Sequence, residues 1–169
     1  MTDVYKRLAP YYFQTAWIVK NQAAAEKRFE QVMGVPEWLR FDVTLREGCT
    51  YRGGPSDTDL RISLGFAGDV NVELIESARG ENIYTEVTRT RGYGLHHVGF
   101  VVPDFETIVA TLRRDGLPVM AEGTAGTTRY AYFDCARDDM SIIEIIWFDE
   151  ATKAALAQLK AASLAALRA

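Results

Sequence analysis

Most of the features that assign a sequence to a class at a glance are missing from this one. No run of the 169 residues approaches the roughly 20 consecutive apolar positions that a membrane span needs. The opening Met1-Thr2-Asp3-Val4-Tyr5-Lys6-Arg7 has no apolar core of a secretory signal. Charge of one sign is not in excess: a net charge of −4 advertises neither nucleic acid nor an anionic membrane as a partner. Cysteine is scarce, and Cys49 and Cys135 stand far apart in unlike contexts, which excludes a disulfide framework and a zinc ribbon and leaves two reduced thiols. A soluble, cytoplasmic protein is expected. About half of the residues are apolar, enough for a proper core in one domain or in two small fused modules.

What the chain does have is a weak copy of itself. The segment Gln14-Thr15-Ala16-Trp17-Ile18-Val19-Lys20-Asn21 returns as His97-Val98-Gly99-Phe100-Val101-Val102-Pro103-Asp104, each time with a helical pattern behind it. Each copy closes on an apolar strand that carries one carboxylate, Val72-Glu73-Leu74-Ile75 and then Ile143-Glu144-Ile145-Ile146. An ionised carboxylate among branched aliphatics costs several kcal/mol unless it is paired, and a bound cation is one of the few partners strong enough. Gln14, Glu73, His97 and Glu144 therefore read as one metal site built from two related halves. The competing reading is that Glu73 and Glu144 simply pair with arginines.

Periodicity and punctuation give strand, helix and several strands, twice. The first strand runs from about Phe13 to Lys20, and Asn21 caps a helix that ends at Gly34 and Pro36. Alternating segments follow near Phe41 to Arg46, Leu60 to Phe66 and Val70 to Glu76. The second module has strands near Leu95 to Val102, Pro118 to Ala121, Thr128 to Asp134 and Ser141 to Phe148, with Asp104 capping its helix. The expected organisation is a module over 1–78, a polar link over 79–94 with a short helix near Ile83 to Val87, a second module over 95–148, and an alanine-rich helix over 149–169. That last helix reads as a lid packed on the sheet or on a second subunit. Gln14 and Glu73 are 59 positions apart, His97 and Glu144 only 47, so the first module holds about 12 extra residues, which the loop around Gly48 to Thr58 can absorb. Inserted loops beside a site often shape what enters it.

Strand alternation groups Gln14 with Ala16 and Ile18, Glu73 with Asn71 and Ile75, His97 with Gly99 and Val101, and Glu144 with Ile142 and Ile146. His96 points the other way, toward the helices or the link, and is not expected to bind the same ion.

With these residues in place, the chain resembles the vicinal oxygen chelate superfamily, which includes glyoxalase I, methylmalonyl-CoA epimerase, extradiol dioxygenases and bleomycin-binding proteins. The resemblance covers about Tyr12 to Phe148. It implies an α+β fold in which two βαβββ modules form a pair of half-barrels, here with an added C-terminal helix, and metal ligands at Gln14, Glu73, His97 and Glu144. The ligand set matches one class of glyoxalase I and differs from the two-histidine, one-carboxylate iron site of extradiol enzymes.

The resemblance implies a metal-dependent isomerase or lyase, glyoxalase-like or epimerase-like, that moves a proton next to a carbonyl through a metal-bound enediolate. Glu144 is the first candidate for the proton shuttle and Glu73 its partner. Zinc, nickel, cobalt, manganese and iron all suit the donors. The alternatives are a ring-cleaving dioxygenase and a non-catalytic small-molecule binding module. The expected substrate is a small carbonyl compound, with a homodimer as the assembly. Glutathione-using relatives carry an arginine where Ile18 stands, so Arg61, Arg89 and Arg91 are the candidates for a replacement charge, and Ile18, Arg61, Asn71, Tyr130 and Tyr132 are the candidate substrate contacts.

Overall fold

The computed structural model describes residues 3–136 and 141–168. Residues 1–2, 137–140 and 169, which the expected modules and tail include, lie outside the described residues. A short helix α1 (Asp3–Leu8) and a single 3-10 turn precede the first strand, β1 (Tyr12–Ile18). Asn21 then caps α2 (Gln22–Met33) by accepting the Ala24 N–H, and the helix closes at Gly34. Four strands follow: β2 (Leu39–Leu45), a short pair β3 (Thr50–Tyr51) and β4 (Gly54–Pro55), and β5 (Thr58–Ala67). Next come β6 (Val70–Arg79) and the link helix α3 (Ile83–Arg91). The second half repeats the pattern with β7 (Gly94–Val101), α4 (Phe105–Arg114), β8 (Val119–Ala125), β9 (Thr128–Asp134) and β10 (Ile142–Trp147). The chain ends on α5 (Glu150–Ala166), capped by Asp149. None of the helices among the described residues is long and apolar enough to cross a membrane.

All ten strands form one strongly curled sheet in the order β2-β5-β6-β1-β7-β10-β9-β8-β3-β4. At its centre β1 and β7 run antiparallel, β6 lies parallel to β1, and β10 lies parallel to β7. The two copies of the repeat are thus related by an approximate two-fold axis between β1 and β7. The four strands that carry the candidate ligands, β6, β1, β7 and β10, are consecutive in this order.

Alternation gives the sheet two apolar faces. Ile143 and Ile145 of β10 are buried beneath α4 together with Val109 and Leu112, while Val72 and Leu74 of β6 are buried with Ala25 of α2. Complete burial of each such side chain stabilises the fold by about 1.5–3 kcal/mol. The opposite, concave face gathers Ile18, Ile75, Ile142 and Ile146 with Leu60, Ile62 and Leu64.

The extra residues of the first half have a definite use. After β2 the chain crosses to the far edge of the sheet, where Thr50 and Tyr51 pair with Glu122 and Ala121 of β8. Arg52 and Gly53, both with positive φ, form the two-residue turn between β3 and β4. Positive φ at both positions is the geometry that matches strand twist in a tight hairpin, and Gly53 adopts it without steric cost. Glu86 of α3 holds this hairpin down by accepting from the Tyr51 hydroxyl at 2.9 Å and the Arg52 Nε at 3.1 Å. A loop of one half thereby closes the barrel edge of the other. The C-terminal helix packs on β5 over the concave face, with Leu156 buried.

Candidate metal centre

Two adjacent rows of the sheet build the site. In one, Glu73, Ala16 and His97 are neighbours across β6, β1 and β7; in the next, Gln14, Gly99 and Glu144 are neighbours across β1, β7 and β10. A small residue therefore separates the two polar ones in each row, and the long side chains lean toward each other over it. The fit at Gly99 is close: a Cβ there would lie 2.7 Å from Gln14 Oε1 and 3.0 Å from the Ile146 Cδ1.

The result is a buried cluster. Glu73, His97 and Glu144 each offer a donor atom within 4.8 Å of the others. His97 Nε2 lies 3.1 Å from Glu144 Oε2 and 3.5 Å from Glu73 Oε2. Gln14, Glu73 and Glu144 line the inner end of one cavity, with His97 completely buried behind them. Yet Gln14 Oε1, Glu73 Oε2 and His97 Nε2 are buried with no hydrogen-bond partner. Buried polar atoms are normally satisfied, because leaving one unmade costs about 1–3 kcal/mol. Two such atoms within the Glu73, His97 and Glu144 cluster, with a third on Gln14 in the same cavity region, fit a cation with nitrogen and oxygen ligands.

The electrostatics agree. Burial opposes a charge on His97, but the Glu144 and Glu73 carboxylates outweigh it and hold the imidazole up to about 9. Burial raises Glu73 above the usual carboxylate range, and the charge of Glu144 adds to this. A divalent ion there would take over the charge compensation that the His97 proton provides.

His96 differs in part from the alternation expected of it. The β1–β7 register shifts between Ala16–His97 and Trp17–Leu95, so a bulge at His96 breaks the period of two. Its ring packs beneath the link helix, 4.9 Å from that of Tyr84, as a residue turned toward the link would. It nevertheless keeps its Nδ1 2.8 Å from Nδ1 of His97. Burial and the neighbouring charge of His97 push His96 well below its usual range, so it is neutral. Once His97 gives up its second proton, an Nδ1–H that donates to His96 leaves the Nε2 lone pair toward the carboxylates, the tautomer that a metal ligand requires.

The other candidates separate cleanly. Tyr130 and Tyr132 line the cavity. Arg61 does not: on β5 it alternates with Leu60 and Ile62, faces away from the cavity and bonds Glu76. Ser63 shares that outer side and is taken by Glu26 and Gln22 of α2. Ile18 belongs to the apolar cluster of the concave face without lining the cavity, and Asn71 donates to the Gly65 carbonyl at 3.0 Å. Arg89 is exposed and paired with Glu81, and neither it nor Arg91 lines the cavity.

Sequence reasoning missed Tyr84, which α3 brings into the site. Its hydroxyl is 2.9 Å from that of Tyr132, and both are raised well above the usual phenol range, first by burial and then by the charges of Glu73 and Glu144. Both phenols therefore stay protonated beside the carboxylates. The signal for Tyr84 was the Asn82 cap with Thr85 three residues on, which fixes where α3 begins and so which way its first turn faces.

Comparison with known proteins follows the same lines. No curated protein sequence matches the chain. Among solved structures, methylmalonyl-CoA epimerase from Mycobacterium tuberculosis superposes with a TM-score of 0.61 at 13% identity, over 85% of this chain and 91% of that one. A hypothetical protein from Bacillus halodurans gives 0.61 at 15% identity, over 82% and 94%. A Streptomyces coelicolor methylmalonyl-CoA epimerase variant in complex with 2-nitronate-propionyl-CoA gives 0.60 at 14%, over 83% and 95%. At such identities these likenesses speak for the fold alone. A sequence profile matches residues 13–133, most of the chain, and on it the protein belongs to the glyoxalase/bleomycin resistance protein/dioxygenase superfamily.

Proposed function

We propose that this chain is a divalent-metal-dependent isomerase or lyase that moves a proton on a carbon next to a carbonyl. The observation that carries this reading is the buried cluster of Glu73, His97 and Glu144, with donor atoms within 4.8 Å of one another, beside a cavity that Gln14 also lines. Gln14 Oε1, His97 Nε2 and a carboxylate oxygen from each glutamate would hold the ion, and the bound ion supplies Lewis acidity toward a substrate with oxygens on adjacent carbons.

The protein's own groups divide the rest of the work. Glu144 is the proton acceptor: its carboxylate opens on the cavity, and the adjacent Tyr132 hydroxyl keeps a donor beside it. Glu73 stands on the other side of His97 and can take the same role on the opposite face of a substrate. Tyr84 anchors Tyr132 through their hydroxyl contact. The donor set offers two carboxylates and one imidazole, since His96 is turned under α3, so it does not match the two-histidine set of ring-cleaving iron sites.

The test is proton exchange. Metal-loaded protein should exchange the carbon-bound hydrogen of an α-hydroxyketone with solvent deuterium. Glu144→Gln should lower that rate by about 10²–10⁴-fold while metal content stays near that of the wild type, because glutamine offers an oxygen but accepts no proton. A near-normal exchange rate in this variant would show that Glu144 is not the base.

A further inference from the structure

The cavity above the cluster has two unlike ends, and the outer one bears on the substrate. Its volume is about 480 Å³, within the range of small-molecule sites. Beyond the polar cluster its walls are the inward side chains of β2 and β5, Phe41, Val43, Ile62 and Leu64 among them, with Leu156 of α5 across from them. The apolar wall continues to solvent: Leu39 and Phe41 at the mouth are 41% and 39% exposed.

Among the described residues, no lysine or arginine lines this cavity. The alternation that turns Leu, Ile and Phe inward on β2 and β5 turns the cations outward, where they are already engaged. Arg40 bonds Glu26 and Arg61 bonds Glu76. The charged side chains at its inner end are the carboxylates of Glu73 and Glu144. A phosphate or carboxylate on a substrate would meet apolar surface, with no partner to replace the water it lost.

Building on the metal-centre reading, we propose that the substrate is an uncharged compound with an apolar, aromatic or branched body attached to the oxygen-bearing carbons. Coenzyme A thioesters and glutathione adducts, whose phosphates and carboxylates need cations, are not its substrates. Discrimination here comes from the wall, which gives a charged group no partner.

The experiment compares two ligands that differ only at the far end, by calorimetry on the full chain, metal-free and metal-loaded. One is 2-hydroxyacetophenone; the other is the same ketone with a carboxylate para on the ring. The proposal expects the uncharged ketone to bind at least about tenfold more tightly in both forms, and methylmalonyl-CoA to bind more weakly than either. Phe41→Lys places a cation at the exposed mouth, where folding is undisturbed. It should narrow or reverse the preference, and metal content reports that the inner end is intact. Equal or tighter binding of the carboxylated ketone or of methylmalonyl-CoA by the wild type, or no binding of the uncharged ketone, would overturn the proposal. The metal reading fails separately: metal that does not bind, beside a retained preference for the uncharged ketone in the metal-free protein, leaves the wall argument standing alone.

Discussion

Two buried glutamates of the same chain have opposite fates. Glu26 on α2 and Glu73 on β6 are 6% and 8% exposed. Glu26 accepts two bonds from Arg40 Nε, at 2.8 and 3.0 Å, one from Arg40 Nη2 at 2.7 Å, and one from the Ser63 hydroxyl at 2.5 Å. Burial works to raise it, but these partners prevail and hold it below the usual carboxylate range. Glu73 faces His97 and a second carboxylate, keeps an oxygen without a hydrogen bond, and is raised. Glu26 is what an arginine-paired structural carboxylate looks like in this fold. Among the described residues, Glu73 and Glu144 have no such arginine partner, and their cluster with His97 is one that could hold a cation.

Substitution should separate the two directly. Glu26→Gln should lower the stability of the metal-free protein by about 1–3 kcal/mol, the loss expected when charge-assisted hydrogen bonds to a buried group go, reduced by the exposure of Arg40. Glu73→Gln should cost the metal-free protein less, because the attraction to His97 that it loses is offset by removing a poorly satisfied buried carboxylate. Equal losses in chemical denaturation would make Glu73 a structural anchor like Glu26. A smaller effect sharpens the same point from the backbone side. Gly99→Ala puts a methyl only 2.7 Å from Gln14 Oε1 and so displaces that side chain, which should weaken divalent-metal affinity by about tenfold while the fold persists. Unchanged affinity in a metal titration would remove Gln14 from the centre.

Much of this is legible in the sequence. The repeat carries the symmetry, so placing Gln14 with His97 and Glu73 with Glu144 on equivalent strands needed only matched apolar patterns and one polar residue in each. Capping residues fixed α2, α4 and α5, since Asn21, Asp104 and Asp149 each accept a backbone N–H at a helix start. The insertion was legible as a length difference, but its pairing with β8 was not, because strand partners distant in sequence leave no local pattern. Arg61 was misplaced for a related reason. Its face depends on which residues of β5 turn inward, and Leu60 and Ile62 outweigh one arginine. The bulge at His96 hides from any period-two reading, and with it the contact between the two imidazoles. The helix α1, whose Leu8 is buried beside Phe100 and Phe105, is too short to show a helical period.

The most direct test of the cation is a calorimetric titration of chelator-stripped protein with a divalent metal, repeated in buffers of different ionisation enthalpy. The sign of the pH dependence follows from the groups that must give up protons. His97, held up to about 9 by its two carboxylates, must be neutral to coordinate, so affinity should climb as pH rises toward that value. The same shift stabilises the metal-free fold fully below about pH 6.5, the usual histidine value, and that contribution is lost as pH rises through about 9. The account predicts one ion bound per chain at neutral pH, with protons released on binding and a raised Tm, and none of this in the Glu73→Gln, Glu144→Gln double variant. An absence of binding by the wild type between pH 7 and 9, or equal binding by the double variant, would contradict it.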